Sequence, residues 1–396
     1  MGLKIVFWLL FFILFYTYAG YAILLWAFVK LKKVFTPSPN SIFADNYEPE
    51  VCLFVTAFNE REYVDRKVRN SFSLDYPKDK ISYLWMTDGS DDGTPELLKK
   101  YKGIEVHHLT ERRGKIHAMN RGVSFVKSPI IIFSDANTTL GINSIREIVK
   151  RFADPLVGCV AGEKRIVERE KAAAAAAGEG LYWKFESWVK KMDSELNSTI
   201  GAVGELFAIR KEHFEEVEND TILDDFIISL RIAKKGNKIA YAPDAYAEET
   251  ASVNVREELK RKIRIAAGGV QTIFRLKELL NPFRYGMLTW QYFSHKVLRW
   301  TIAPVSLFLI FFVNLALVIQ SDFATTGIFM FCFFCLQLFC YFLAFAGWYF
   351  ENRKIRYKAF FIPYYFVSIN YASVRGIFRY FKGKQTVNWE RSARAQ

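Results

Sequence analysis

The sequence predicts an α/β domain, its parallel sheet laid down by alternating strands and helices, combined with an α-helical transmembrane region. Three observations carry that expectation. Between residues 51 and 135, short apolar runs rich in β-branched residues alternate with helix-forming segments, a pattern that specifies parallel strands joined by right-handed crossovers. The runs at 51–57, 81–86 and 130–134 each give way to a carboxylate, at Glu60, Asp88 and Asp135, and open α/β sheets bind ligands outside the carboxyl ends of their strands. Residues 5–29, 297–319 and 326–350 are nearly free of charge, and each is long enough for a bilayer core, which takes about 20 residues per helix. The expected division is an N-terminal transmembrane anchor at 1–35, the α/β domain at 36–255, amphipathic interfacial helices at 256–296, a transmembrane or re-entrant region at 297–380 and a tail at 381–396.

The first apolar stretch exceeds the roughly 7–15 residues of a signal-peptide core and lacks a small-residue cleavage site, so it reads as a retained anchor. Lys30, Lys32 and Lys33 follow it, Arg353, Lys354, Arg356 and Lys358 follow the third stretch, and the link 320–326 has no basic residue. Basic residues concentrate in short cytoplasmic loops. The chain is therefore expected to be a multi-pass protein of the inner (plasma) membrane with its middle part in the cytoplasm. A net charge of +13 suits a face beside anionic lipid; no nucleic-acid motif accompanies it, so membrane lipids and not nucleic acid are the expected partners. Cys332, Cys335 and Cys340 are expected to pack within an apolar span, and Cys52 and Cys159 within the domain core. No disulfide is expected.

Taken in order, residues 36–40 (TPSPN) form a linker, Val51–Ala57 a strand running into Phe58-Asn59-Glu60, and Arg61–Ser73 a helix. A second strand at 81–86 ends in Asp88 and the glycines Gly89 and Gly93, a helix covers 95–101, and Ile104–Leu109 is a third strand. Carboxylates suit nucleobase N–H groups and ribose hydroxyls better than phosphate. The basic segment 112–120, which contains Lys115, is placed to neutralise a diphosphate or to begin a solvated helix. Asp135, followed two residues later by Asn137, can hold a divalent cation beside a diphosphate, although turn chemistry alone also explains an Asp after a strand.

Six alanines at 172–177 favour helix and are chemically silent. The aromatic run 182–188 that follows, Trp183 included, serves either core packing or sugar stacking. Residues 201–210, with Gly204 and Glu205, supply a turn and a strand that would floor an acceptor pocket. Asp224 and Asp225 stand side by side at a helix start, where capping accounts for only one of them. At 257–277 apolar residues recur with helical period and basic residues occupy the other faces, the pattern of an interfacial amphipathic helix. Residues 359–374 form a run too short for a comfortable crossing and contain Pro363 and Asn370. If this run crossed, the basic residues from Arg375 onward would lie outside, so a re-entrant or interfacial segment with a cytoplasmic tail is expected.

The ordered set VTAFNE (55–60), DGSDDGT (88–94), GKIHAMN (114–120), FSDANTTL (133–140), GELFAIR (204–210), LDDF (223–226) and RKIRI (261–265) resembles the membrane-integrated family 2 glycosyltransferases. That group has a GT-A (Rossmann-like) catalytic domain and includes the cellulose, chitin, hyaluronan and poly-N-acetylglucosamine synthases. The resemblance implies that Ala57, Glu60 and Asp88 bind the uridine of a UDP-sugar donor, with Lys115 near the nucleotide. Asp135 would hold Mg²⁺ or Mn²⁺ on the diphosphate, with Asn137 where the family usually has a second Asp. Asp225 would be the general base of an inverting transfer, oriented by Asp224, and Arg264 and Arg261 would meet the diphosphate. Gly204, Glu205 and Trp183 would face the acceptor, while Ile265 replaces the family's stacking Trp. Trp389, within 386–394, matches the Trp-containing C-terminal segment that closes over bound nucleotide in synthases of this group. The implied activity is extension of a β-linked polysaccharide. Single glycosylation of a membrane lipid and a non-catalytic membrane scaffold are the alternatives.

Overall fold

The computed structural model describes residues 2–35, 47–167, 173–250, 255–320, 325–353 and 358–383. The linker at 36–40 and Trp389 with its tail segment lie outside them.

The strands are β1 (Val51–Ala57), β2 (Ile81–Asp88), β3 (Ile104–Leu109), β4 (Ile130–Asp135), β5 (Thr139–Leu140), β6 (Val157–Val167), β7 (Leu206–Arg210) and β8 (Lys238–Thr250). They form one sheet in the order β3-β2-β1-β4-β7-β6-β8-β5. The β3-β2-β1-β4 half is parallel, as the alternation predicts. The sheet as a whole is mixed, which corrects the expectation of a parallel one: β7 runs antiparallel to both β4 and β6, and β5 antiparallel to β8. The reason lies in where β7 starts. Leu206 pairs with Ser134 and Arg210 with Ile130, so β7 enters at the edge where β4 ends and brings Gly204 and Glu205 beside Asp135. A parallel strand would have put them at the opposite edge.

Alternation along each strand builds two apolar layers. Phe54, Met86 and Phe133 face one side with Phe207 and Phe226, and Leu53, Val55, Trp85 and Ile132 face the other with Val64, Val68 and Ile148. Helices α1 (Gly2–Phe35), α2 (Arg61–Ser73), α3 (Thr94–Leu98), α4 (Lys115–Val123), α5 (Ser144–Arg151), α6 (Ala173–Leu196), α7 (Asp224–Lys234) and α8 (Val255–Arg275) follow in chain order. A series of short helical turns up to Trp300 then leads to α9 (Ile302–Gln320), α10 (Thr325–Asn352) and α11 (Lys358–Phe381).

Among the described residues, three helices are long and apolar enough to span a membrane: α1, α9 and the 327–351 part of α10. Helix α11 is one continuous helix with Pro363 inside it. Its C-terminal half lies along α8. A Cβ at Gly376 would come within 2.5 Å of the Ala266 Cβ and 2.9 Å of the Ala267 backbone nitrogen, so only glycine permits this approach. Cys332, Cys335 and Cys340 face outward from α10; the packing expected of them is not found, because that helix buries other positions, such as Met330 and Ala344.

Candidate active site

One cavity of about 320 Å³ opens where the carboxyl ends of β1, β2 and β4 meet the first turns of α4 and α7 and the middle of α8. Asp88, the last residue of β2, lines it. Its Oδ2 accepts the backbone N–H groups of Arg113 at 2.9 Å and Gly114 at 2.6 Å. Its Oδ1 is buried and has no partner, an arrangement that suits an incoming N–H donor, since an unpaired buried acceptor costs about 1–3 kcal/mol. Gly89, at φ 70°, makes this geometry attainable, because a Cβ there would fall 2.5 Å from that of Arg112. The Arg112 guanidinium lies 3.8 Å from the centroid of the Phe58 ring. Glu60 lines the cavity beside them, with its backbone N–H donated to Thr94 Oγ1 at 3.1 Å.

Lys115 is the electrostatic hub. Its Nζ stands 2.9 Å from Asp135 Oδ1 and 3.0 Å from Asp224 Oδ2. Burial opposes its charge, but Asp135 and Asp224 outweigh burial and hold the ammonium well above its ordinary range. Burial raises the Asp135 carboxyl against the pull of Lys115. Asp225 is pushed up to about 7 by burial and by its neighbour Asp224, with Lys115 acting the other way. A Cβ at Gly204 would lie 3.5 Å from Asp225 Oδ2 and 3.7 Å from Lys115 Nζ, so the turn before β7 lies directly against the base candidate. Arg264 reaches in from α8 and donates to the carbonyl of Ile222 at 3.4 Å.

Asp135 and Asn137 offer hard oxygen donors. Asn137 gives its Nδ2 to Glu249 at 3.5 Å, so its side-chain oxygen is the atom that would reach a cation. Among the described residues no cluster of three or more His, Cys, Asp or Glu is arranged for a metal. Two protein oxygens fit a cation of the Mg²⁺ or Mn²⁺ kind, which takes the rest of its shell from substrate phosphates and water.

The fold has known counterparts. The family model described as "Glycosyltransferase like family 2" matches residues 49–268. The chain belongs to glycosyltransferase family 2. It is 25% identical over 233 residues to the poly-β-1,6-N-acetyl-D-glucosamine synthase of Staphylococcus aureus strain COL, covering 57% of this chain and 56% of that protein. It is also 25% identical over 236 residues to a β-monoglucosyldiacylglycerol synthase of Synechocystis, covering 56% of this chain and 48% of the relative. The chain thus spans about half the length of the curated relatives it matches. A mannosyltransferase from Pyrobaculum calidifontis, solved with GDP-mannose and Mn²⁺, superposes with a TM-score of 0.69 at 21% identity, over 97% of this chain and 100% of that one. The glycosyltransferase therefore has a GT-A fold.

The cavity of the glycosyltransferase gathers nearly all the residues singled out from sequence: Ala57, Glu60, Asp88, Lys115, Asp135, Asn137, Trp183, Gly204, Glu205, Asp224, Asp225, Arg261 and Arg264 line it. Several are more committed than their types suggest. Burial opposes the Glu205 charge, but Lys164 and Arg261 outweigh it and hold the carboxyl well below the carboxylate range; Lys164 is shared with Glu249. The Arg261 guanidinium donates twice to Glu258, at 2.9 Å each. The Trp183 ring has Lys164, Lys190 and Lys262 within 5.6 Å of its centroid. Arg113 pairs with Glu111, leaving Arg112 and Lys115 as the cavity-facing cations of the basic segment.

Two groups of residues escaped the sequence reading. Helix α2 clamps the loop that carries Asp135 and Asn137: Lys67 Nζ donates to Ser134 Oγ at 2.7 Å and to the Thr138 backbone carbonyl at 3.1 Å, and Arg66 donates to the Asn137 backbone carbonyl at 3.0 Å. Burial lowers the Lys67 ammonium to about 7. The second group is Tyr18, Lys190, Lys296, Arg299 and Asn370, which carry the cavity toward the membrane helices. No motif contains them. The only hint in the sequence is a charged cluster, 295–299, placed just ahead of an apolar span.

Proposed function

We propose that this glycosyltransferase is an inverting, divalent-metal-dependent enzyme that moves a sugar from a UDP-sugar onto an acceptor hydroxyl at the cytoplasmic face of the inner membrane. The observation that carries this reading is the grouping of Asp135, Asp224 and Asp225 around Lys115 in one cavity, with Asp225 at about 7. A base is most effective when its pKa lies near the working pH. The acceptor oxygen attacks the anomeric carbon, its proton passes to the Asp225 carboxylate, and UDP leaves from the opposite face. Asp224 holds Lys115 in place. Arg264 and Lys115 offset the charge that grows on the diphosphate, and a Mg²⁺ or Mn²⁺ bound at Asp135 and Asn137 would further stabilise that leaving group. The unpartnered oxygen of Asp88 suits the uracil N–H. The placement of the domain is supported by Lys32, which donates to the carbonyls of Glu195 and Leu196, and by Lys33, which pairs with Glu195 at 2.7 Å: the basic end of α1 faces the catalytic domain.

For the acceptor, extension of a β-linked polysaccharide agrees with the activity named for the Staphylococcus relative. A specific observation favours a second reading, single transfer to a membrane lipid. Ile265 lines the cavity where the family's stacking Trp would be, and the cavity reaches Tyr18 of α1 and Asn370 of α11, which hydrogen-bond to each other. Incubating purified enzyme with radiolabelled UDP-sugars and GDP-mannose, with and without Mn²⁺, tests the whole reading. High-mass product identifies a polymer, organic-soluble product a lipid. No transfer from any donor leaves only the scaffold.

A further inference from the structure

The membrane side of the cavity gathers three cationic side chains, Lys190, Lys296 and Arg299, that the transfer chemistry leaves unused. Lys190, on α6, is 3% exposed and lines the cavity. Among the described residues it forms no ion pair with a carboxylate; its ammonium lies 5.5 Å from the Trp183 ring centroid and close enough to Lys296 for the two charges to repel. Lys296 and Arg299 line the same lobe and share one carboxylate, that of Glu186. Both Glu186 oxygens are thereby engaged, and His295 takes a further contact at 3.2 Å. Lys190 therefore stands beside two further cations that already engage Glu186, in a pocket walled partly by Tyr18 of α1 and Asn370 of α11. Burying a cation without a counter-charge is costly, and a neutral glycan would not offset it.

We propose that this lobe binds the phosphate of an anionic lipid acceptor, with Lys190 as its principal ligand, while a hydroxyl of the same headgroup lies at Asp225. The proposal rests on the lipid reading of the acceptor and names its chemistry. In the transfer the anomeric C–O bond to the diphosphate breaks, a new C–O bond forms to the headgroup hydroxyl, that hydroxyl's proton goes to Asp225, and UDP departs with the electron pair. The lipid phosphate is a handle and is not consumed. Approach from the bilayer side is consistent with the position of Tyr18 and Asn370, and the Lys190 ammonium can give the phosphate a charge-assisted hydrogen bond.

The test uses the full-length enzyme in nanodiscs with the donor found active in the panel above. Four acceptors are compared: phosphatidylglycerol and a polyprenyl diphosphate bearing one sugar, which carry phosphate, and diacylglycerol and an alkyl glycoside, which do not. The expected result is transfer to at least one phosphorylated lipid and at least about tenfold weaker use of the neutral pair. Lys190→Met should raise the KM for the phosphorylated lipid about tenfold or more without changing kcat comparably, whereas Lys190→Arg should retain most of the affinity. Calorimetric donor binding unchanged in both variants shows that they are folded. Free inorganic phosphate that competes no better than sulfate assigns the site to the lipid headgroup. Equal transfer to phosphorylated and neutral acceptors, or an unchanged acceptor KM in Lys190→Met, overturns the anion site while glycosyl transfer itself stands. Loss of transfer to every acceptor in the wild-type enzyme overturns both.

Discussion

Asp225→Asn separates catalysis from folding. The amide keeps the size of the carboxylate and cannot accept a proton, so transfer should fall by about 10²–10⁴-fold, the usual effect of losing a general base, with donor affinity preserved. The same substitution should stabilise the protein in alkaline buffer. Burial and Asp224 raise the carboxyl from 3.8 to about 7 in the folded state. A group shifted upward contributes stability that is fully present below its unfolded value and lost as pH rises through its folded one. Wild-type stability should therefore decline between pH 4 and 7, by up to about 4 kcal/mol from this residue, and the Asn variant should lack that decline. Thermal unfolding of both proteins from pH 5 to 8 measures it. Activity should run the opposite way in the wild type, with kcat rising through about pH 7 as the base deprotonates. A variant with turnover within a few-fold of wild type, or an unfolding profile parallel to wild type across the range, would refute the reasoning.

Three further outcomes are expected. Asp135→Ala should weaken Mn²⁺-dependent UDP binding, and a calorimetric titration in Mn²⁺ with unchanged affinity would remove Asp135 as the metal ligand. Lys67→Met leaves Ser134 and Thr138 without their buried donor and should destabilise the fold by about 1–3 kcal/mol; thermal unfolding checks this, and a Mn²⁺ titration should show a loosened Asp135–Asn137 loop as weaker metal binding. Truncation after Lys384 removes Trp389 and should lower kcat, and full activity in that protein would rule out a closing role for the tail.

The parts of the fold that could be read from sequence were those set by local pattern. β-branched runs and their breaks placed β1 and β3 to the residue and β4 to within one, because a strand and its crossover helix are neighbours in the chain. The direction of β7 was not legible. It depends on a return across the sheet after the long helix α6, and nothing in Leu206–Arg210 distinguishes a parallel from an antiparallel strand. The cavity residues were legible from their pattern: Asp88 and Asp135 each end a buried strand at the same sheet edge, and Asp225 is a second acid at a helix start, where capping accounts for only one. Their partners were not. That Lys115 would bridge Asp135 and Asp224, that Glu205 would be tied to Lys164, and that Arg261 would be held by Glu258 are matters of which ends of distant elements meet.

The same argument explains why the membrane-side lobe was missed and how its position is fixed. Tyr21 on α1 donates to Asp193 on α6. The other Asp193 oxygen meets His295 Nδ1 at 2.7 Å, His295 Nε2 reaches Glu186 at 3.2 Å, and Gln291 Nε2 donates to Asp193 Oδ1 at 3.0 Å. Each residue alone reads as an ordinary polar position on a helix. Together they form a buried chain joining the anchor, α6 and the segment before α9. Buried ionic networks add little net stability against apolar packing, but breaking one partner leaves an uncompensated charge, so the network tolerates one arrangement of these three elements. Lys190, Lys296 and Arg299 project from the elements so joined. The position of this lobe relative to α1 is therefore set by a connection outside every catalytic motif, and His295, which bridges Asp193 and Glu186 without lining the cavity, is its central link.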